Sequence, residues 1–195
     1  MAAIVAGNSD MTFNDCTAEC GSYFALTHCV NGWQEEVADI TVTGGDIHTK
    51  KECVLVKSHN MMLDLCDVNI SSDKGILVHT IVNDDPCATK VTKDVFGVNV
   101  VMTDMDVKGD LLHEDTTREM WVMLNSTQLT GAIQHANVAF DKGSKWVATA
   151  DSDVVFVTDV EPAQIDAPAG VTITAKGAQA GEFALAGGGT LVVTA

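Results

Sequence analysis

Residues 39–80 read DITVTGGDIHTKKECVLVKSHN followed by MMLDLCDVNISSDKGILVHT, and the second line repeats the first in outline. Each half has a short apolar strand, a polar step ending in isoleucine, a turn rich in Lys, Asp and Ser, and a second apolar strand. Ile47 and Ile70 are the matching anchors. Val42 and Leu65 lie five residues before them, Gly45 and Val68 two before. A strand-built repeat of this length is the mark of a coiled, solenoid architecture, in which each unit buries its apolar side only by stacking on the next.

The pattern extends outward from that stretch in both directions. Upstream, Met11–His28 places Asp15 opposite Asp67, Ala18 opposite Ile70, and Tyr23–Leu26 opposite Ile76–Val78. Downstream, the anchors are Val107, Leu129, Trp146 and Ile165, and the chain closes with the strands VTITAKG and TLVVTA. Two stretches depart from it: Cys29–Asp39, an insertion, and Ile81–Gly97, whose Asn-Asp-Asp-Pro turn predicts a loop extruded from the stack. Anchor spacings are irregular while the strand pattern holds, which predicts coils of one kind joined by variable loops.

Composition agrees. The chain is 46% hydrophobic but only 5% aromatic, its apolar residues are mostly Val, Ile, Leu and Ala, and Thr, Gly and Asp are abundant. That mix favours strands and tight turns. Helical periodicity is weak throughout, and the one candidate, Asp115–Met123, is short and runs into a strand-like segment. The expected fold is therefore all-β: a single-stranded right-handed parallel β-helix with irregular loops, spanning residues 1–195 as one domain. The hand follows from the rule for parallel crossovers.

Net charge is −16 with a single arginine, Arg118, and such a surface repels phosphate backbones, so nucleic acid is not an expected partner. No run of about 20 apolar residues predicts a membrane-inserted helix. The opening MAAIVAGNSD lacks the basic region and apolar core of a secretion signal. Met1 then begins either a cytoplasmic protein or an excised piece of a larger one. The six cysteines match no zinc spacing and read as buried thiols, with a disulfide involving Cys20, Cys29 or Cys53 as the alternative. Cys66 is expected to share a face with Val68 and Ile70.

The run from Asn125 to Val157, NSTQLTGAIQHANVAFDKGSKWVATADSDVVFV, resembles a pattern in large bacterial β-helix proteins of the adhesin-like or autotransporter-passenger type. There a step of the form S-x-L-x-G-x-I, here Thr127–Ile133, precedes a strand, a Gly-Ser turn and a W-x-V/A-T-x-x-S strand, here Trp146–Ser152. The step Asp67–Ser71 is similar in style. The resemblance implies a right-handed parallel β-helix that is extracellular or at the cell surface. It carries over no catalytic residue.

Three sets of residues could carry chemistry. His28, His59, His79, His113 and His135 follow the second strand of successive coils. Stacked coils bring equivalent positions within about 5 Å, so a histidine column is a candidate transition-metal site. Asp15, Asp67 and Asp104 occupy one equivalent outward position, and three stacked carboxylates would repel unless a cation such as calcium separated them; Gly44 and Ser126 interrupt the series. Asp84 and Asp85, in the long loop, are candidate ligand-contact residues, and so is Trp33 in the Cys29–Asp39 insertion. Trp146, at an anchor position, reads as packing.

Signatures of polysaccharide hydrolases, phosphate loops and nucleophile elbows are absent, and no cofactor is expected. The expected function is a non-enzymatic, surface-presented binding or scaffold module contacting carbohydrate or a cell surface through its loops. The alternatives are a polysaccharide-active enzyme and a structural spacer. TLVVTA has no polar cap after it, so this end is expected to pair with a neighbour by end-to-end self-association.

Overall fold

The computed structural model describes residues 1–29, 36–85 and 96–195. It is all-β apart from one 3-10 turn, Pro162–Gln164. A 16-stranded, mostly parallel sheet curls until it is nearly closed, and a separate 4-stranded parallel sheet accompanies it. This is the arrangement of a solenoid or barrel-like β fold. No helix among the described residues is long and apolar enough to cross a membrane.

The strands fall on three sides, visited in turn. The first side stacks residues 9–14, residues 37–43, Asn60–Cys66, Val98–Thr103, Met120–Asn125 and residues 137–140. On the second side, residues 16–20, 45–49 and 69–72 are paired in series, and Asp106–Lys108, Gln128–Thr130, Lys145–Val147 and Ile165–Asp166 form the 4-stranded sheet. The third side stacks Ala3–Val5, Ala25–His28, Val54–Lys57, Ile76–Ile81, Asp110–His113 and the start of Ile133–Phe140.

Register follows the anchors read from the sequence. Ala18 pairs with Ile47 and Ile47 with Ile70; further on, Val107 pairs with Leu129, Leu129 with Trp146, and Trp146 with Ile165. All but Ala18, which is half-buried, lie in the core. Trp146 is fully buried, and its indole N–H donates to the Gly131 carbonyl at 2.8 Å. Burying a side chain of this kind stabilises by roughly 1.5–3 kcal/mol before entropy is charged against it.

In five successive coils the turn from the first side to the second carries a positive-φ residue at one equivalent position: Asp15 (48°), Gly44 (67°, followed by Gly45 at 84°), Asp67 (49°), Asp104 (54°) and Ser126 (49°). Left-handed backbone costs most residues about 1–2 kcal/mol, and Gly, Asn and Asp tolerate it best. The aspartate series is therefore explained by the corner. The corner also resets the in-out alternation: Leu65 points in, Cys66 out, and Val68 in again. Cys66 accordingly lies on the outer surface, half-buried, rather than on the face of Val68 and Ile70.

Where the ladder breaks at corners, side chains close it. Asp141 Oδ1 accepts from the N–H groups of Ser126 and Gly143, both at 3.1 Å, and Ser144 Oγ accepts from Thr127 N–H. The buried Thr127 hydroxyl accepts from Met105 N–H. Asp110 and Asp151 cap Ala132 N–H and Thr172 N–H of the following coil. The buried donors among them, Met105 N–H and Thr127 N–H, thereby avoid a penalty of about 1–3 kcal/mol for a buried group left unpaired.

At the far end, Thr190–Thr194 pairs with Thr172–Lys176 on one edge and, antiparallel, with Gly181–Ala184 on the other. The expected open edge at TLVVTA is covered by the chain's own preceding segment. At the opposite end, Ala3–Val5 and Ser9–Cys20 each pair on one edge only.

Two substitutions test the corner. A Cβ on Gly45, itself at φ 84°, would lie 2.2 Å from the Cys16 carbonyl oxygen of the adjacent coil. Gly45→Ala is expected to destabilise by about 3 kcal/mol or more, read as a drop in Tm. Asp67→Gly should be neutral or mildly stabilising, whereas Asp67→Val should cost about 1–2 kcal/mol by the same measurement. A calcium-dependent rise in Tm of the wild type that Asp67→Gly abolishes would instead assign the carboxylate to a cation.

Candidate functional site

The corner between the third side and the first is where polar chemistry collects. Register there runs His28 to Lys57 to Ile81, and the next donors, Cys29 N–H and Ser58 N–H, bond to the carbonyls of Lys57 and Ile81. The two longest departures from the stack leave from this corner, after Cys29 and after Ile81. Trp33 falls in residues 30–35, outside the described residues.

Two asparagines hold the roots of these connections. Asn83 donates from Nδ2 to the Cys29 carbonyl at 2.7 Å, its own N–H donates to Ser58 Oγ, and its Oδ1 accepts from Asp85 N–H. Asn60, fully buried, donates to the Glu36 carbonyl at 3.0 Å and accepts from Gly97 N–H and from Arg118 Nε. Asn60 thus ties together residues 36, 97 and 118. Asn83 was read only as part of the Asn-Asp-Asp-Pro turn, and Asn60 was not singled out in the sequence. A polar residue at the first, inward position of an apolar strand, as in Asn60-Met-Met-Leu, is the signal that was there.

Outside this layer sits a charged cluster. Lys57 Nζ lies 3.1 Å from Asp84 Oδ1 and 3.4 Å from Asp85 Oδ2, and His28 Nδ1 is 4.0 Å from Asp85 Oδ2. Burial works against the Lys57 charge, but the two carboxylates outweigh it and its pKa moves up. The hydrogen bond from Lys57 holds the Asp84 carboxyl below its ordinary range. Asp84 is almost fully exposed, so the pair adds little to stability and leaves carboxylate oxygen available to a ligand.

Beneath it is a buried polar layer. Arg118, the sole arginine, has a side chain 1% exposed and pairs with Asp115 at 3.4 Å. Burial lowers its pKa against the opposing pull of Asp115. Removing either partner of such a pair strands a buried charge, at a cost of about 3–5 kcal/mol. His113 Nε2 lies 3.0 Å from the Arg118 carbonyl, an acceptor, so that nitrogen carries the proton and Nδ1 accepts from the Thr80 hydroxyl. His59 is buried, and neither ring nitrogen has a hydrogen-bond partner among the described residues. Burial first, then the positive charge of Arg118 and the nearby His28, push its pKa down to about 4. Burial likewise raises the Cys29 thiol.

The corner therefore brings together four of the residues singled out in the sequence: His28, His59, Asp84 and Asp85. His79 stands apart, with Nδ1 3.7 Å from Glu52 Oε1; Glu114 Oε1 is 3.4 Å from its Nε2, an ion-pair distance without hydrogen-bond geometry. The histidines form no single column. His28 is in register with Lys57, His79 with Leu112, and His113 with Thr80, because each coil reaches the third side with a different phase. Asp15, Asp67 and Asp104 lie at the other corner, between the first and second sides. No group of three or more His, Cys, Asp or Glu side chains among the described residues is placed to hold a metal ion. No disulfide joins the described cysteines.

Two open recesses lie elsewhere. One, of about 650 Å³, is flanked by Gln128, Lys145 and Asp166, and Asp166 Oδ1 is already engaged by Gly187 N–H and Ala167 N–H. The other, of about 430 Å³, is bordered by His135, Asp151 and Asp153, with His135 Nδ1 3.5 Å from Asp153 Oδ2. Comparison with protein-family models, with curated proteins and with solved structures finds no match.

Acid should weaken the fold through His59. Its folded pKa of about 4 lies below the ordinary 6.5, so between those values the unfolded chain takes up a proton that the folded chain excludes. Stability is then full above about pH 6.5 and falls by roughly 3 kcal/mol as pH drops to 4. His113, shifted the same way by burial, adds to the trend. Thermal melts across this range should show the decline, and His59→Leu should flatten it. An unchanged slope in that variant would remove His59 as the cause.

Proposed function

We propose that the chain is a right-handed parallel β-helix that serves as a non-enzymatic, adhesin-like binding or scaffold module. It is presented outside the cell and contacts carbohydrate or a cell surface through the connections that leave the Asn60–Asn83 corner. The observation that carries this reading is the pairing of a rigid root with an exposed charged cluster. Asn60 and Asn83 fix where both long connections begin, and Lys57, Asp84, Asp85 and His28 sit at that spot. Connecting segments on a rigid stack are where binding groups concentrate. Carboxylates held in place by a lysine suit bidentate contact with sugar hydroxyls or with a basic group.

A second reading is favoured by the recess of His135, Asp151 and Asp153: a polysaccharide-active enzyme using two carboxylates beside an imidazole. One experiment separates the two. Purified chain is screened against a glycan array and a panel of polysaccharides, with and without calcium and zinc. Saturable binding weakened at least about tenfold by Asp84→Asn or Trp33→Ala is the expected result. Release of sugar products, lost in Asp153→Asn, would install the enzyme reading in its place. Neither binding nor turnover would leave the scaffold role alone.

A further inference from the structure

The larger of the two open recesses, about 650 Å³, serves neither reading above, and its size falls in the range of small-molecule sites. It lies on the outer face of the 4-stranded sheet, over the rungs Gln128–Thr130, Lys145–Val147 and Ile165–Asp166. Alternation along these rungs turns Leu129, Trp146 and Ile165 into the core. Gln128, Lys145, Val147 and Asp166 therefore stand on the outer face, where they border the recess.

Both walls are held by the chain's own hydrogen bonds. One wall is the turn Pro162–Gln164, where Gln164 Nε2 donates to the carbonyls of Asp141 at 2.7 Å and Ser144 at 3.2 Å, and Oε1 accepts from Glu161 N–H. The other is residues 184–186. Leu185 is buried, its N–H donates to the Gly189 carbonyl, and its carbonyl accepts from Gly188 N–H, both at 3.0 Å. Asp166 ties this wall to the sheet, since Oδ1 accepts from the N–H groups of Ala167 and Gly187. A recess preformed in this way loses little freedom when a ligand enters. Three groups bordering it have no hydrogen bond or ion pair among the described residues: Asp166 Oδ2, the Gln128 carboxamide and Lys145 Nζ. Lys145 and Asp166 are one rung and two residues apart, about 8 Å along the backbone surface, so one positive and one negative group share the face.

The geometry points to a binding site for a short zwitterionic peptide, its carboxylate taken by Lys145 and Gln128 and its ammonium by Asp166 Oδ2. Two or three extended residues span about 7–10 Å, which matches the separation of the two charged groups. Both contacts are charge-assisted hydrogen bonds, the strong kind. The ligand carries no net charge, so a chain of net charge −16 does not repel it as it would an anion. Small side chains suit walls built from Pro162, Ala163, Ala184 and Ala186. A sugar is less well served: Trp146, the one aromatic residue bordering the recess, is fully buried and offers no ring to stack on.

Titration of the full chain with trialanine, followed in amide NMR correlation spectra, tests this. The expected result is saturable shifts at Val147, Asp166 and residues 184–186, with a dissociation constant on the order of 0.1–1 mM. N-acetyl-trialanine and trialanine amide each lack one charge and should bind at least about tenfold more weakly. Lys145→Gln should weaken trialanine by a similar factor, and Lys145 is exposed, so this variant keeps the fold. Asp166→Asn should do the same, its side-chain oxygen still accepting from Gly187 N–H; if it misfolds, Lys145→Gln decides alone. No saturable shift up to about 20 mM trialanine overturns the proposal. So does binding that acetylation and amidation leave unchanged. Shifts at these residues with maltotriose and none with trialanine would also overturn it, and would make the recess a saccharide site.

Discussion

Five successive coils turn from the first side to the second at the same place, each with a positive-φ residue at the turn. That turn sets Asp15, Gly44, Asp67, Asp104 and Ser126 in one line along the stack. Much else depends on it. The left-handed residue adds a second outward position in succession, so it resets the alternation and lets two straight apolar runs both face the core. Without it, one run of each coil would present its Val, Ile and Leu to water. The corner also allows close approach, and at Gly45 the neighbouring coil's backbone occupies the space of a side chain.

The opposite problem arises where the third side gives way to the first. Here the connections differ in length from coil to coil, so no repeated backbone conformation can close the turn. Side chains do the work instead. Asn60 and Asn83 each serve several backbone groups at once, and Arg118 with Asp115 completes a polar layer beneath an exposed charged cluster. A buried network of this kind is stable only when nearly complete, and it is worth more as a specification of geometry than as net free energy. His59, buried beside it with no hydrogen-bond partner among the described residues, is expected to make the layer sensitive to acid.

The strand pattern and its register were legible because they rest on periodicity: the anchors Ile47, Ile70, Leu129, Trp146 and Ile165 are apolar for one reason and recur in one place. The equivalence of Asp15, Asp67 and Asp104 was also visible, but its cause was not. A carboxylate suits a left-handed corner and a cation site equally well on paper, and the dihedral angle that accounts for it at the corner is not written in the sequence. Cys66 was misplaced because period-two counting runs straight through a corner that resets it. The histidines looked like a column since all follow a strand, yet they meet the third side at different phases. The bonding roles of Asn60 and Asn83 were not legible, although Asn83 was visible as part of a turn. Their partners are mostly backbone groups far away in sequence, which a local pattern does not identify.

The stack has a further property that follows from its corners. After each departure the chain is returned to register by local features of the coil it rejoins, so the length of the detour has no bearing on the pairing that follows. The span between Ile81 and Val98 is far longer than the single residue between Cys66 and Val68, yet both deliver the next strand to the correct rung. Variation in such detours is uncoupled from the scaffold. A lineage built on this plan could change what its loops meet, in size as well as sequence, while the core beneath them goes on folding in the same way.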